Sequence, residues 1–146
     1  ARTGDGEVRL VRTRTGEALR VRRGRLPSPA AINRFLRCPA DRKYTLVDPR
    51  LVAAAVNAAR HFERVEVRII SAFRTARLNA AMRAEGRNVA LRSRHVNGQA
   101  LDLRVPGVPI DRLCRYFRRL RVGGVGCYRR LKFVHIDVGP LRSWSG

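Results

Sequence analysis

The chain has 146 residues, 45% of them hydrophobic, which suits one folded domain and argues against disorder. Its 32 lysine and arginine residues against 11 acidic ones give a formal net charge of +21, which attracts polyanions without identifying one. No apolar run approaches the 18 residues that a membrane-spanning helix needs, so we expect no transmembrane segment.

The first 61 residues predict a β-hairpin followed by two helices. Two strand-like stretches, 7–11 and 17–22, flank a turn that ends in glycine, which is typical of a hairpin. The first helix is expected from Ser28, with proline next, to about Arg37. The second repeats the start signal at Asp48 and runs to about residue 61.

From residue 65 onward, strands are interspersed with helices. In chain order we expect a strand at 65–70, a helix at 76–85, a strand at 100–105, a helix at 109–120 and strands at 124–128 and 133–138. The strands pair locally and the helices do not follow a regular βαβ order. We therefore predict the α+β class: a single domain, 1–146, with an antiparallel sheet and helices packed against it. Within it we place an N-terminal hairpin, 1–25, and a metal-binding core, 65–146.

Cysteine usage argues against a thiolate metal site. Cys38, Cys114 and Cys127 have no CxxC spacing. Two alternatives stay open: a disulfide, for which Cys114 and Cys127 close the shorter loop, or buried free thiols.

Two of the three histidines lie in segments with the composition of a metal site, 93–102 (SRHVNGQALD) and 133–137 (FVHID). Strand alternation places Asp102 on one face of its strand and His135 with Asp137 on one face of theirs. Gly98 permits a sharp turn that returns His95 to the same cleft. Two imidazoles and one carboxylate leave a fourth position open, as a catalytic zinc requires, so we predict one Zn²⁺ held by His95, Asp102 and His135.

The spacing H-x-x-G-x-A-x-D at 95–102, followed by the strand 133–137, resembles the zinc D-Ala-D-Ala carboxypeptidase superfamily, which includes lysostaphin-type endopeptidases and the hedgehog signalling domain. The chain is most similar to the murein endopeptidase K branch, through Ser71-Ala72-Phe73-Arg74 with Asn79 and through the segments 123–128 and 138–144. The resemblance covers nearly the whole chain. It implies the same three metal ligands.

The resemblance also implies a catalytic arginine, Arg74, that reaches into the cleft, where a guanidinium can hold a substrate carbonyl oxygen or a carboxylate. Many relatives place a glutamate or histidine as general base two or three residues before the last histidine, but this chain has Phe133 and Lys132 there. Asp137 is the local substitute as catalytic base, or it orients a zinc-bound histidine. The sequence leaves both roles open.

The expected function is zinc-dependent hydrolysis of D-configured peptide bonds in the stem peptides or cross-links of peptidoglycan, as an endopeptidase or carboxypeptidase. The chain has no initiator Met and no signal peptide, so we expect it to be processed or trimmed. Because peptidoglycan lies outside the cytoplasmic membrane, we expect the protein to be periplasmic or secreted, and we expect a monomer. Expected partners are peptidoglycan peptides and, through the basic surface, anionic cell-wall polymers. Few aromatic residues and no known recognition motif argue against specific nucleic-acid binding. The alternative is a non-catalytic, metal-containing module that binds wall peptides or a protein.

Overall fold

The computed structural model describes residues 6–87, 89–90 and 93–146, so residues 1–5 of the predicted hairpin segment lie outside the described residues. The strands are β1 Val8–Arg12, β2 Ala18–Val21, β3 Glu66–Ser71, β4 Ala100–Arg104, β5 Val125–Tyr128, β6 Phe133–Asp137 and β7 Ser143–Ser145. The helices are α1 Pro29–Phe35, α2 Pro49–His61, α3 Ala76–Ala84 and α4 Ile110–Leu120, and a short 3-10 helix spans Arg94–Asn97.

The first two helices begin where their capping residues predict. The Ser28 hydroxyl accepts a hydrogen bond from the amide of Ala31 at 3.2 Å. The Asp48 carboxylate accepts one from the amide of Arg50 at 2.9 Å. In both helices proline fills the first turn, where a missing N–H costs nothing.

The α+β class is confirmed, but the seven-stranded sheet is mixed and not purely antiparallel as expected. Its order is β2-β1-β3-β4-β6-β5-β7, with β1 parallel to β3 and β5 parallel to β7. The connection from β1 to β3 contains β2, α1 and α2, which is long enough for the crossover that parallel pairing requires. Strand β7, which the sequence did not predict, is parallel to β5 because the chain reverses twice, before and after β6.

The core lies between one face of the sheet and the helices. Helix α2 packs on β1, β3 and β4, and α4 packs on β5 and β6. Alternate residues of each central strand enter this core, among them Leu101, Leu103, Val134 and Ile136. The residues between them therefore project from the other face, which carries the candidate site.

The structure decides the cysteine pairing that the sequence left open. A disulfide joins Cys114 of α4 to Cys127 of β5, and Cys38 is a buried free thiol. None of the helices in the described ranges is long and apolar enough to cross a membrane.

Candidate metal centre

A row of five residues crosses the open face of the sheet, one from each of five neighbouring strands. In spatial order they are Ser71, Asp102, His135, Gly126 and Trp144, each in register with the next. Residues paired across neighbouring strands share a face of the sheet. The strand register therefore brings Asp102 beside His135, as the sequence predicted.

His95 reaches this row from the 3-10 helix. The Ser93 hydroxyl caps the helix by accepting a hydrogen bond from the His95 amide, and the carbonyl of His95 accepts one from the amide of Arg74. Gly98 ends the helix with φ of 68°, and a Cβ there would lie 2.6 Å from the backbone oxygen of Leu46. The expected glycine turn is thus present, and it returns His95 to the sheet.

Three candidate ligand atoms converge at this point. His95 Nε2 lies 3.2 Å and His135 Nδ1 lies 3.0 Å from the same oxygen, Oδ1 of Asp102. All three atoms lie within 4.8 Å of one another. The structure therefore brings together the three residues that the sequence predicted as metal ligands.

Hydrogen bonds behind the two histidines fix which ring nitrogen carries the proton. His95 Nδ1 lies 2.8 Å from the carbonyl oxygen of Ala72, which can only accept, so Nδ1 donates there and Nε2 is the ring nitrogen that faces Asp102. His135 Nε2 lies 2.9 Å from the carboxylate of Asp137, which can only accept, so Nε2 donates there and Nδ1 is the ring nitrogen that faces Asp102. With a divalent metal such as zinc bound, His95 Nε2 and His135 Nδ1 would each offer a lone pair beside the Asp102 carboxylate, and these three donors fit such a metal.

Asp137 is completely buried, and both of its carboxylate oxygens are engaged. Besides His135, it accepts hydrogen bonds from the amides of Gly124 at 2.8 Å and Gly139 at 2.9 Å. Burial disfavours its charged form, but these three hydrogen bonds outweigh that effect and lower the pKa of Asp137 to about 2. Of the two roles that the sequence left open, these contacts favour orienting His135.

The pKa of Asp102 is also lowered. Burial would raise it, but the charge and hydrogen bonds of His95 and His135 outweigh burial and hold the pKa well below its usual range. Asp102 is therefore an anionic candidate ligand at neutral pH.

Arg74 is buried at the end of β3, with its guanidinium fixed by neighbours. It donates to the side-chain oxygen of Asn79 at 3.0 Å and to the hydroxyl of Ser71 at 3.3 Å. Asn79 in turn donates to the carbonyl of Ala90 at 3.0 Å. Burial lowers the pKa of Arg74, and the charge of Asp102 raises it in part. The sequence gave Asn79 and Ser71 no role of their own, and here they hold the arginine beside the three candidate ligands.

Trp144 is the residue at the site that sequence reasoning missed. Its ring lies 5.2 Å from the ring of His135, centroid to centroid. It belongs to β7, which has three residues, too few for a strand period to be recognised in the sequence.

An α+β fold whose sheet carries two imidazoles and a carboxylate around one point is typical of metallohydrolases. The chain belongs to the family described as peptidoglycan L,D-endopeptidase MepK, which it matches over residues 7–144, and this confirms the family resemblance.

Two relatives illustrate the match. The chain is 35% identical over 124 residues to the probable peptidoglycan L,D-endopeptidase MepK of Haemophilus influenzae, an alignment that covers 82% of this chain and 67% of the relative. It is 36% identical over 116 residues to peptidoglycan L,D-endopeptidase MepK of Escherichia coli K12, covering 79% and 64%. The chain therefore spans about two thirds of the length of these relatives. No solved structure gives a significant match.

Proposed function

We propose that this chain is a zinc-dependent peptidase that hydrolyses peptide bonds of peptidoglycan at an L,D bond. The relatives are named peptidoglycan L,D-endopeptidases, which favours endopeptidase over carboxypeptidase action. The observation that carries the proposal is the convergence of His95 Nε2, Asp102 Oδ1 and His135 Nδ1, with the N–H group of each imidazole bonded elsewhere.

Bound zinc would supply a Lewis acid that polarises a carbonyl and makes a water molecule more acidic. His95, Asp102 and His135 would hold it. Arg74 would stabilise negative charge on the oxygen of the scissile carbonyl, a contribution typically on the order of 10²–10³ in rate. Because Ser71 and Asn79 already fix its guanidinium, little reorganisation is needed when that charge develops.

We assign Asp137 as a positioning residue. A general base must come within about 2.6–3.2 Å of the proton that it accepts, directly or through one water. The Asp137 carboxylate has no exposed surface, and it already accepts hydrogen bonds from His135, Gly124 and Gly139. It would instead hold His135 in the tautomer that presents Nδ1 to the metal.

Digestion of purified sacculi tests the proposed activity. The zinc-loaded protein should release fragments whose masses identify cleavage at an L,D bond, and neither His135→Ala nor the chelated protein should do so. Binding to sacculi without any released fragment would contradict the proposal and support the non-catalytic alternative. Fragments released equally by wild type and His135→Ala would exclude this metal centre as the active site.

We also propose that the protein acts as a monomer outside the cytoplasmic membrane, in the periplasm or secreted, and that its net charge of +21 attracts it to anionic wall polymers. Salt screens such attraction over about 8–10 Å at physiological ionic strength. Binding to sacculi should therefore weaken steeply with salt, and cleavage of a short soluble peptide should weaken much less. Equal salt dependence of the two would place the charge effect at the active site.

A further inference from the structure

An aromatic patch borders the metal centre on the side away from Arg74. Three half-buried rings form it, Tyr128, Phe133 and Trp144, and the exposed Arg142 lies over the last of them. Tyr128 and Phe133 pair across β5 and β6, with ring centroids 4.6 Å apart and planes 15° apart. The patch lies on the same face of the sheet as His135.

Gly126 is the reason that Trp144 reaches His135. It is the residue between them in the cross-strand row, and it has no side chain to stand in the way. A Cβ at Gly126 would lie only 2.6 Å from Cε2 of the indole. The indole is also fixed from the other side, because its Nε1 donates a hydrogen bond to the Tyr128 hydroxyl at 2.9 Å. Trp144 therefore has one defined position beside the metal ligand.

Trp144 in turn holds Arg142. The guanidinium carbon lies 4.7 Å from the centre of the indole ring, and the Arg142 carbonyl accepts a hydrogen bond from the amide of Val125 on the neighbouring strand. Among the residues that the structure describes, no carboxylate lies within ion-pair distance of Arg142. A guanidinium stacked on a ring keeps its N–H edges available for a planar anion.

The cross-strand row thus has an arginine at each end. Arg74 is held by Ser71 at one end, and Arg142 lies on Trp144 at the other, with Asp102 and His135 between them. A peptide laid along this row over the metal centre would meet Arg142 just past His135. Carboxylates are the anionic groups that a peptide can present there.

We propose that Arg142, positioned by Trp144, binds a free carboxylate of the peptide substrate on that side of the scissile bond, with the indole packing against the adjoining apolar part. This subsite deepens the proposed function and rests on it, since it assumes a peptide over the metal centre. Arg142 and Trp144 act on binding, and neither is given a part in the chemical step.

Trp144 is the only tryptophan in the chain, so its fluorescence reports directly on the subsite. The zinc-loaded protein is mixed rapidly with a stem peptide that has free carboxyl groups, or with the same peptide fully amidated. The fluorescence change before turnover gives Kd, and steady-state cleavage gives kcat and KM. The variants are Arg142→Gln and, as the matched control, Arg130→Gln, which removes the same charge from an exposed position in the turn between β5 and β6.

Wild type should bind the free acid about fivefold or more tightly than the amide, as expected for a partly exposed, charge-assisted contact. Arg142→Gln should abolish that preference and raise KM for the free acid by a similar factor, with kcat within about twofold. Arg130→Gln should keep the preference.

Equal affinity of wild type for acid and amide would overturn the inference, as would a preference that persists in Arg142→Gln. Equal loss in Arg142→Gln and Arg130→Gln would assign the preference to the overall positive field and also overturn it. If wild type shows the preference and Arg142→Gln loses it, but no peptide is cleaved, the subsite stands and the proposed hydrolysis fails.

Discussion

Replacing Asp137 by asparagine reverses one hydrogen bond at the candidate metal centre and leaves the shape of the side chain unchanged. The asparagine oxygen can still accept from the amides of Gly124 and Gly139. Its NH₂ group would then face Nε2 of His135, which already carries a proton in the wild-type arrangement. Two donors cannot bond to each other, so His135 must move its proton to Nδ1 or turn away. Either change removes the Nδ1 lone pair from the metal site.

The expected result is a zinc affinity about 10- to 100-fold weaker, the usual cost of losing such an orienting partner, or about 1.4–2.7 kcal/mol. Rotating the asparagine amide does not remove this donor–donor conflict, because its NH₂ group would then face the backbone N–H groups of Gly124 and Gly139. At zinc concentrations high enough to fill the site, Asp137→Asn should recover much of its turnover. A general base at this position would give a different result: unchanged zinc affinity and a loss of about 10²-fold or more in kcat.

Competition with a chromophoric zinc chelator gives the affinity, and peptide cleavage at saturating zinc gives kcat. The control is Asp111→Asn, which makes the same change of charge at an exposed carboxylate. Asp111 lies in α4 and pairs with Arg129 in the β5–β6 turn. Asp111→Asn should bind zinc as wild type does. Unchanged zinc affinity in Asp137→Asn, together with loss of turnover at saturating zinc, would refute the positioning role and restore Asp137 as the base.

Three further predictions concern the metal and Arg74. Wild type should carry about one zinc by elemental analysis, and His95→Ala or His135→Ala should lose it, because each removes one of three ligands; equal zinc in all three proteins would exclude the site. Chelation should leave most of the helical circular dichroism signal in place, because the two longest helices, α2 and α4, belong to the core on the sheet face opposite the site. Loss of that signal would show that the metal is structural. Asn79→Ala should lower kcat/KM about tenfold, because it removes a hydrogen bond that holds Arg74. In an Arg74→Ala background the same substitution should have almost no effect on kcat/KM. Additive losses in the double variant would show that Asn79 acts independently of Arg74.

The parts of the fold that the sequence predicted depend on local physics. The helix starts at Ser28 and Asp48 follow from hydrogen bonds between residues two or three apart. The faces of β4 and β6 follow from strand alternation, which is why Asp102 and His135 were expected to meet.

The parts that escaped prediction depend on contacts between distant residues. No local sequence pattern specifies that β1 pairs in parallel with β3. Strand β7 has only three residues, and it is identified as a strand by its pairing with the edge of β5. The tautomer of His95 is set by the carbonyl of Ala72, a backbone atom whose position follows from the packing of β3. Sequence patterns therefore identified the candidate ligands but not the hydrogen bonds that aim them.

Strand register connects these local and distant effects. A slip of one residue between β4 and β6 would send His135 to the helix-covered face and bring Val134 or Ile136 beside Asp102. Burial of Leu101, Leu103, Val134 and Ile136 against α2 and α4 opposes that slip, because it would bring apolar side chains to the open face. The hydrophobic core on one face of the sheet therefore fixes the geometry of the polar site on the other. Since the same register sets Gly126 between His135 and Trp144, it also determines which aromatic ring borders the candidate metal centre.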